Sequence, residues 1–288
     1  MNLARVTRPA RLRLLIIITA LLAVAGLLAA TTQAASARTS GHHVALWGGG
    51  PKPTIVLEHG AWADASSWNK VIRRLQEDGF TVDAPPNPLR GVSYDSTYLA
   101  DFLSTISGPV VLVGHSYGGF VTTNAATGNA NVKALVYVDA FIPDQGDTLL
   151  SLLNNSGSCL GGPPADTFNF APYPGAPTGD VDTYIKPSLV PGCFATGLPA
   201  SQAAVIAATQ RPLAASTLQE ASGPPAWQTI PSWAVIGTAD RVIPPALLTS
   251  MARRASARIT HVNAGHLSMI SDPCAVARVI EQAAQATS

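Results

Sequence analysis

The segment Gly114–Gly119, with the sequence GHSYGG, constrains the fold of this chain more than any other. It follows the apolar run Pro109–Val113, which is typical of a strand buried on both faces of a parallel sheet. The next residues, Phe120–Ala126, are suited to a helix. A serine between glycines at this junction predicts a strand-to-helix turn so sharp that larger neighbours would clash.

Strands and helices alternate along most of the chain. Alternation of this kind predicts parallel strands joined by right-handed crossovers, with helices on both faces of one sheet. We expect strands at 54–58, 80–84, 109–113, 132–138, 232–237 and 258–262, and helices at 66–78, 96–107, 120–126, 246–255 and 273–284.

One long interval, Phe141–Ile230, breaks the alternation. It is rich in Gly, Pro, Ser and Asn up to Cys193 and more helical over 200–219. An insertion between two core strands would lie over the carboxyl ends of the strands, where open α/β sheets bind ligands. We therefore expect a core of residues 53–140 and 231–288, with a cap at 141–230.

The N-terminus has the pattern of an export signal over residues 1–37, followed by a tail at 38–52. Four arginines precede the apolar run Leu14–Ala30, and small residues follow it. We expect cleavage after Ala37, with Ala34 as the near alternative. An uncleaved membrane anchor is the other interpretation, because the run is close to spanning length. The expected location is secreted or extracytoplasmic, without membrane association after cleavage.

The charge balance argues against a polyanionic partner. The chain has 18 basic and 17 acidic residues, and four of the basic ones lie in the expected signal, which leaves 14 against 17, or −3. This balance predicts no nucleic-acid binding. Few basic side chains lie in the expected cap, Lys186 and Arg211 among them, which favours a neutral small-molecule substrate. Nothing in the sequence indicates the oligomeric state.

Three cysteines in an exported chain suggest one disulfide and one free thiol. Cys159 and Cys193 bracket a Gly/Pro-rich segment that would lose much entropy on ordering, so a bridge between them is expected. Cys274 follows Pro273 at a helix start, where we expect a buried, small apolar residue.

The chemistry that the turn suggests needs two further residues. A serine hydroxyl is a weak nucleophile unless a base takes its proton and an acid orients that base. For Ser116, the candidates are Asp240 and His266, which follow later strands and would lie on the same edge of the sheet. Asp139, after the strand ending at Val138, is the competing acid, and Asp240 could instead make an Asx turn or cap a helix.

Such a site also needs donors for an oxygen that becomes negative. The amide N–H of Tyr117, directly after the serine, is one candidate. The other is the amide N–H of Ala61, in the turn His59-Gly60-Ala61-Trp62 after the first strand. His59 is better placed to shape this turn than to act as a base.

Together, the motifs EHGAW, GHSYGG, GTADRVIPP and AGHLSM resemble the α/β-hydrolase superfamily, over roughly residues 53–286. The chain is most similar to the compact branch with plant methylesterases, hydroxynitrile lyases and bacterial esterases. The resemblance implies a core of about six, mostly parallel strands, a Ser116–His266–Asp240 triad, oxyanion donors at Ala61 and Tyr117, and no cofactor or metal. It implies a serine esterase; a non-catalytic binding protein, an acyltransferase or a lyase is the alternative.

Single residues argue against two other activities that are found on this fold. The similar hydroxynitrile lyases have a lysine after the catalytic histidine and a threonine in the oxyanion turn, where this chain has Leu267 and Gly60. Epoxide hydrolases and haloalkane dehalogenases need an aspartate where this chain has Ser116. The cysteine-flanked segment 159–193 has no counterpart in the compact branch, so substrate specificity does not follow from the resemblance.

Overall fold

The computed structural model describes residues 51–288, so the expected signal and nearly all of the expected tail lie outside the described residues. The strands are β1 (Thr54–Glu58), β2 (Val82–Asp83), β3 (Val110–His115), β4 (Val132–Val138), β5 (Phe168–Ala171), β6 (Asp182–Ile185), β7 (Leu213–Ala214), β8 (Ser232–Gly237) and β9 (Arg258–Val262). The α-helices are α1 (Asn69–Glu77), α2 (Val92–Ser104), α3 (Gly118–Ala125), α4 (Leu149–Leu153), α5 (Pro164–Thr167), α6 (Ala200–Ala208), α7 (Pro245–Arg254), α8 (Ser268–Ser271) and α9 (Pro273–Ala286). Three short segments form 3₁₀ helices, Ala65–Trp68, Ala215–Gln219 and Ala226–Gln228, and Val190–Phe194 forms a wider π-helical turn.

Six strands form one parallel sheet in the order β2-β1-β3-β4-β8-β9, as the alternation predicts. Every residue of β3 is buried, which agrees with its continuous apolar sequence. Helices cover both faces: α1 and α9 pack together on one, and α2 and α3 pack together on the other. The carboxyl ends of β3, β4, β8 and β9 therefore meet along one edge.

Most helices and strands have bounds close to those expected from the sequence, and two differ for identifiable reasons. The second strand is only Val82–Asp83, because the chain leaving α1 first turns back so that Phe80 N–H donates to Leu75 O. Helix α2 begins at Val92, four residues before the expected start. Glu220 accepts hydrogen bonds from the amides of Val92 and Ser93, at 2.6 and 2.8 Å, and so caps this helix from far along the chain.

The interval between β4 and β8 contains a small second sheet, which the sequence does not predict. Strands β5, β6 and β7 pair antiparallel in that order. These strands are two to four residues long, too short for an alternating pattern to stand out.

The expected bridge between Cys159 and Cys193 is present, with the two Cα atoms 5.8 Å apart. The expectation for Cys274 is wrong, because this residue is a free, exposed cysteine. Helix α9 buries Val276, Ala277 and Ile280, and Cys274 lies on the face turned away from them.

Within residues 51–288, no helix is long and apolar enough to cross a membrane.

Candidate active site

Ser116 lies at a strained turn between β3 and α3. Its φ is +53°, in the left-handed region that non-glycine residues seldom adopt. The two flanking glycines make this turn sterically possible. A Cβ at Gly114 would lie 2.7 Å from Gly118 O, and one at Gly118 would lie 2.8 Å from Glu58 O. The glycines thus allow the backbones to approach closely and hold the serine at the sheet edge.

Ser116, His266 and Asp240 form one hydrogen-bonded chain. The Nε2 atom of His266 is 2.9 Å from Ser116 Oγ, and its Nδ1 atom is 2.8 Å from Asp240 Oδ2. A carboxylate only accepts hydrogen bonds, so Nδ1 carries the proton and Nε2 is free to accept from the serine hydroxyl. All three residues are buried. The three residues are far apart in the sequence. They meet because each follows the carboxyl end of a strand, β3, β8 or β9.

An Asx turn was the alternative role expected for Asp240, and Asp240 makes this turn as well. Its Oδ1 atom accepts from the amides of Val242 and Ile243, at 2.8 and 3.0 Å. One carboxyl oxygen therefore fixes the local turn while the other contacts His266. The two interpretations describe different oxygens of one side chain.

Asp139, the competing acid, contacts backbone and not His266. Its oxygens accept from the amides of Gly237 and Ser268, at 2.6 and 3.2 Å. Burial and the charge of nearby Asp240 raise the pKa of Asp139 to about 7. Asp139 thus braces the strand end before Asp240 and the segment after His266.

The turn after β1 lies against Ser116. A Cβ at Gly60 would be 2.7 Å from Ser116 Cβ and 2.9 Å from His115 O, so only glycine fits without movement. Among the described residues, the amides of Ala61 and Tyr117 donate no hydrogen bond. Both residues also line the cavity that contains Ser116, so two uncommitted donors lie beside the serine.

His59 holds this turn in place through both ring nitrogens. Its Nδ1 atom donates to Gly60 O at 2.9 Å, and its Nε2 atom accepts from Asn87 N at 3.0 Å. Burial lowers the pKa of His59 to about 4, which keeps the ring neutral. The geometry matches its expected use in shaping the turn.

Two supporting residues have no signal in the sequence. His115 donates from Nε2 to His266 O at 2.9 Å, so the residue before the serine helps to position the histidine loop. Asp95 accepts from the hydroxyl of Tyr117 at 2.7 Å and anchors the residue after the serine. Burial raises the pKa of Asp95. A side chain that packs behind a motif is invisible until the fold brings it there.

Ser116 opens into a small apolar cavity of about 50 Å³. Most of its wall comes from residues between β4 and β8. The lining residues are Ala61, Trp62, Ser116, Tyr117, Phe141, Leu149, Leu150, Leu153, Leu160, Phe168, Leu213, Leu218 and Val242. No charged side chain is among them. Within residues 51–288, no group of three or more His, Cys, Asp or Glu side chains is arranged to hold a metal ion.

A family model described as "Alpha/beta hydrolase family" matches residues 55–279. The chain belongs to the alpha/beta hydrolase family. The match includes both halves of the parallel sheet and the segment between them, so this alpha/beta hydrolase carries its family signature over nearly all of the described fold.

Two curated relatives match over shorter regions. A carbendazim hydrolyzing esterase from Nocardioides sp. (strain SG-4G) is 37% identical over 112 residues, covering 34% of this chain and 46% of the relative. An alpha-hydroxynitrile lyase from Arabidopsis thaliana is 31% identical over 107 residues, covering 32% and 42%. In both cases the match spans less than half of the relative's length.

Among solved structures, polyneuridine aldehyde esterase superposes with a TM-score of 0.67 over 81% of this chain and 99% of that one. The sequences are 18% identical, so this likeness concerns the fold.

Proposed function

We propose that this alpha/beta hydrolase is an exported serine esterase that cleaves carboxylic esters through an acyl-enzyme at Ser116. The observation that carries the proposal is the hydrogen-bonded chain from Ser116 Oγ through His266 to Asp240. One curated relative and one structural neighbour bear esterase names, and these names support the same reaction class.

In the first half of the reaction, Ser116 Oγ attacks the ester carbonyl carbon while its proton passes to His266 Nε2. The C=O π bond opens and the carbonyl oxygen becomes negative. The amides of Ala61 and Tyr117, which donate no hydrogen bond within residues 51–288, are the proposed donors to this oxygen. Asp240 accepts from Nδ1, which holds the ring in position and stabilises the imidazolium.

The intermediate then collapses, the bond to the alkoxy oxygen breaks, and His266 gives its proton to the departing alcohol. Water then attacks the acyl carbonyl carbon while His266 accepts its proton. The bond to Ser116 Oγ breaks, His266 returns the proton to Oγ, and the acid is released. Each step uses only the side chains and amides described and the two reactants.

The segment 141–230 is proposed to be a cap that selects the substrate. Its side chains form most of the apolar wall around Ser116, which supports a neutral ester. Export is proposed from the arginine-rich start and apolar run of residues 1–37. The disulfide supports an oxidising compartment.

Lyase chemistry is less well supported, although one relative is a hydroxynitrile lyase. The residue after His266 is Leu267, which is apolar and buried, so no cation stands at that position.

A fluorophosphonate probe tests the proposal directly. The wild-type protein should gain the probe's mass at Ser116 and lose hydrolysis of nitrophenyl acetate, whereas Ser116→Ala should neither label nor hydrolyse. Folded wild-type protein that fails to label would favour a non-catalytic binding protein instead. Labelling with product formed only when an added alcohol or amine accepts the acyl group would indicate an acyltransferase.

A further inference from the structure

A second cavity, of about 160 Å³, lies next to the Ser116 cavity. It reaches Phe194 and Leu267 on the His266 side, and Gln202 and Ile206 of α6. Ser116 does not line it. Among residues 51–288, Trp62 alone lines both cavities, so it lies at their boundary.

Trp62 is held firmly in this position. Its indole Nε1 donates to Thr183 O at 3.0 Å, which ties the turn after β1 to β6. Its ring stacks on Phe168 at 5.4 Å between centroids and meets the edge of Phe194 at 6.3 Å. Its φ of +57° is a strained value that the surrounding contacts maintain.

The Ser116 cavity is better suited to the acyl group than to the leaving alcohol. His266 must give its proton to the leaving oxygen, so that group has to lie on the histidine side. His266 does not line the Ser116 cavity, whereas both proposed oxyanion donors do. The acyl chain, on the other side of the carbonyl, therefore points toward the apolar wall.

We propose that Trp62 is a specificity-determining residue that closes the acyl pocket and restricts the enzyme to esters of short, uncharged acids. A cavity of about 50 Å³ has room for only a few heavy atoms, far below the several hundred Å³ of pockets for larger ligands. Removing the indole joins the two cavities and extends the pocket toward α6. This inference rests on the proposed esterase function.

The test compares kcat/KM for the nitrophenyl esters of acetate, butyrate, hexanoate and octanoate. In the wild type, kcat/KM should fall by about 100-fold or more from acetate to octanoate, because methylene groups that do not fit the pocket lower kcat/KM. Trp62→Ala should raise the octanoate-to-acetate ratio by about tenfold or more. Trp62→Phe, which keeps a ring in the wall but lacks the indole donor, should retain the short-chain preference.

Two further variants keep the test decisive. Trp62→Leu leaves a smaller void and replaces Trp62→Ala if that variant does not fold, since replacing a buried Trp by Ala is strongly destabilising. Adding Ile206→Phe to Trp62→Ala should remove the gain for octanoate, because it fills the second cavity.

The outcomes separate the two proposals. A wild type that neither labels at Ser116 nor hydrolyses any ester overturns the esterase proposal itself. A wild type that labels and hydrolyses acetate, with the same chain-length profile in folded Trp62→Ala or Trp62→Leu, overturns only the role of Trp62. An equal gain in Trp62→Phe would also overturn it, because the lost hydrogen bond and not the opened wall would be responsible.

Discussion

The Nδ1 atom of His266 lies 2.8 Å from Asp240 Oδ2, although a second buried carboxyl group, that of Asp139, is close by. The two acids differ in what their oxygens contact. Asp240 accepts from the imidazole, and Asp139 accepts from the amides of Gly237 and Ser268. The direction of each side chain therefore gives the two acids different roles.

Replacing each acid in turn should separate these roles. Asp240→Asn should lower kcat for ester hydrolysis by about 10⁴-fold, because the amide favours the wrong imidazole tautomer. Asp139→Asn leaves the contact to His266 in place and should cost at least about tenfold less. Steady-state kinetics on nitrophenyl acetate measure both, with circular dichroism to confirm folding. If kcat fell more in folded Asp139→Asn than in Asp240→Asn, then Asp139 and not Asp240 would be the acid that orients His266.

Gly60→Ala should impair the reaction without removing any functional group. The added methyl would lie 2.7 Å from Ser116 Cβ and would push the turn that carries the Ala61 amide. Loss of one oxyanion donor costs about 100-fold or more in kcat. Gly192→Ala is the matched control, because a Cβ there meets nothing within 4 Å. Equal activity in both variants would remove the turn from the mechanism.

The disulfide should support activity as well as stability. Cys159 N–H donates to Arg241 O, next to Asp240, and the ring of Phe194, next to Cys193, lies 5.5 Å from the ring of His266. Opening a bridge that spans 34 residues costs about 3–4 kcal/mol of unfolding free energy in the chain-entropy model.

Urea unfolding and kcat/KM of the double variant Cys159→Ser/Cys193→Ser measure these two effects. We expect both to decrease, whereas the matched control Cys274→Ser changes an exposed free thiol and should alter neither. Unchanged kcat/KM in the double variant would limit the bridge to a stabilising role.

Acid should destabilise the fold in part through His59. The pKa of His59 is about 4 in the folded protein, below the ordinary value of 6.5. Neutral His59 therefore contributes to the free energy of unfolding above pH 6.5, and this contribution is lost as the pH falls toward 4. The full difference corresponds to about 3 kcal/mol. His59→Gln should be less stable at neutral pH but lose less free energy of unfolding on acidification. Urea titrations across this range check it, and parallel pH dependences in the two proteins would contradict it.

The parallel core is the part of the fold that local patterns predict well. Strands β4, β8 and β9 have the bounds expected from the sequence. For β4 and β8 the reason is burial, because a strand buried on both faces reads as a nearly continuous apolar run. The early start of α2 and the small second sheet were not predicted. The first depends on Glu220, more than a hundred residues away, and the second on strands of two to four residues.

The sequence by itself indicated the sharp turn at Ser116, because at Gly114 a Cβ would meet Gly118 O within the turn itself, and that requirement for glycine is local. It also determined which residues follow each strand, and hence which side chains could meet at the sheet edge. Only the tertiary structure decided that Asp240 and not Asp139 contacts His266, that His115 and Asp95 brace the site, and that Trp62 lines two cavities. These are distances between segments far apart in the chain, set by how the strands pair and how the insertion packs over them.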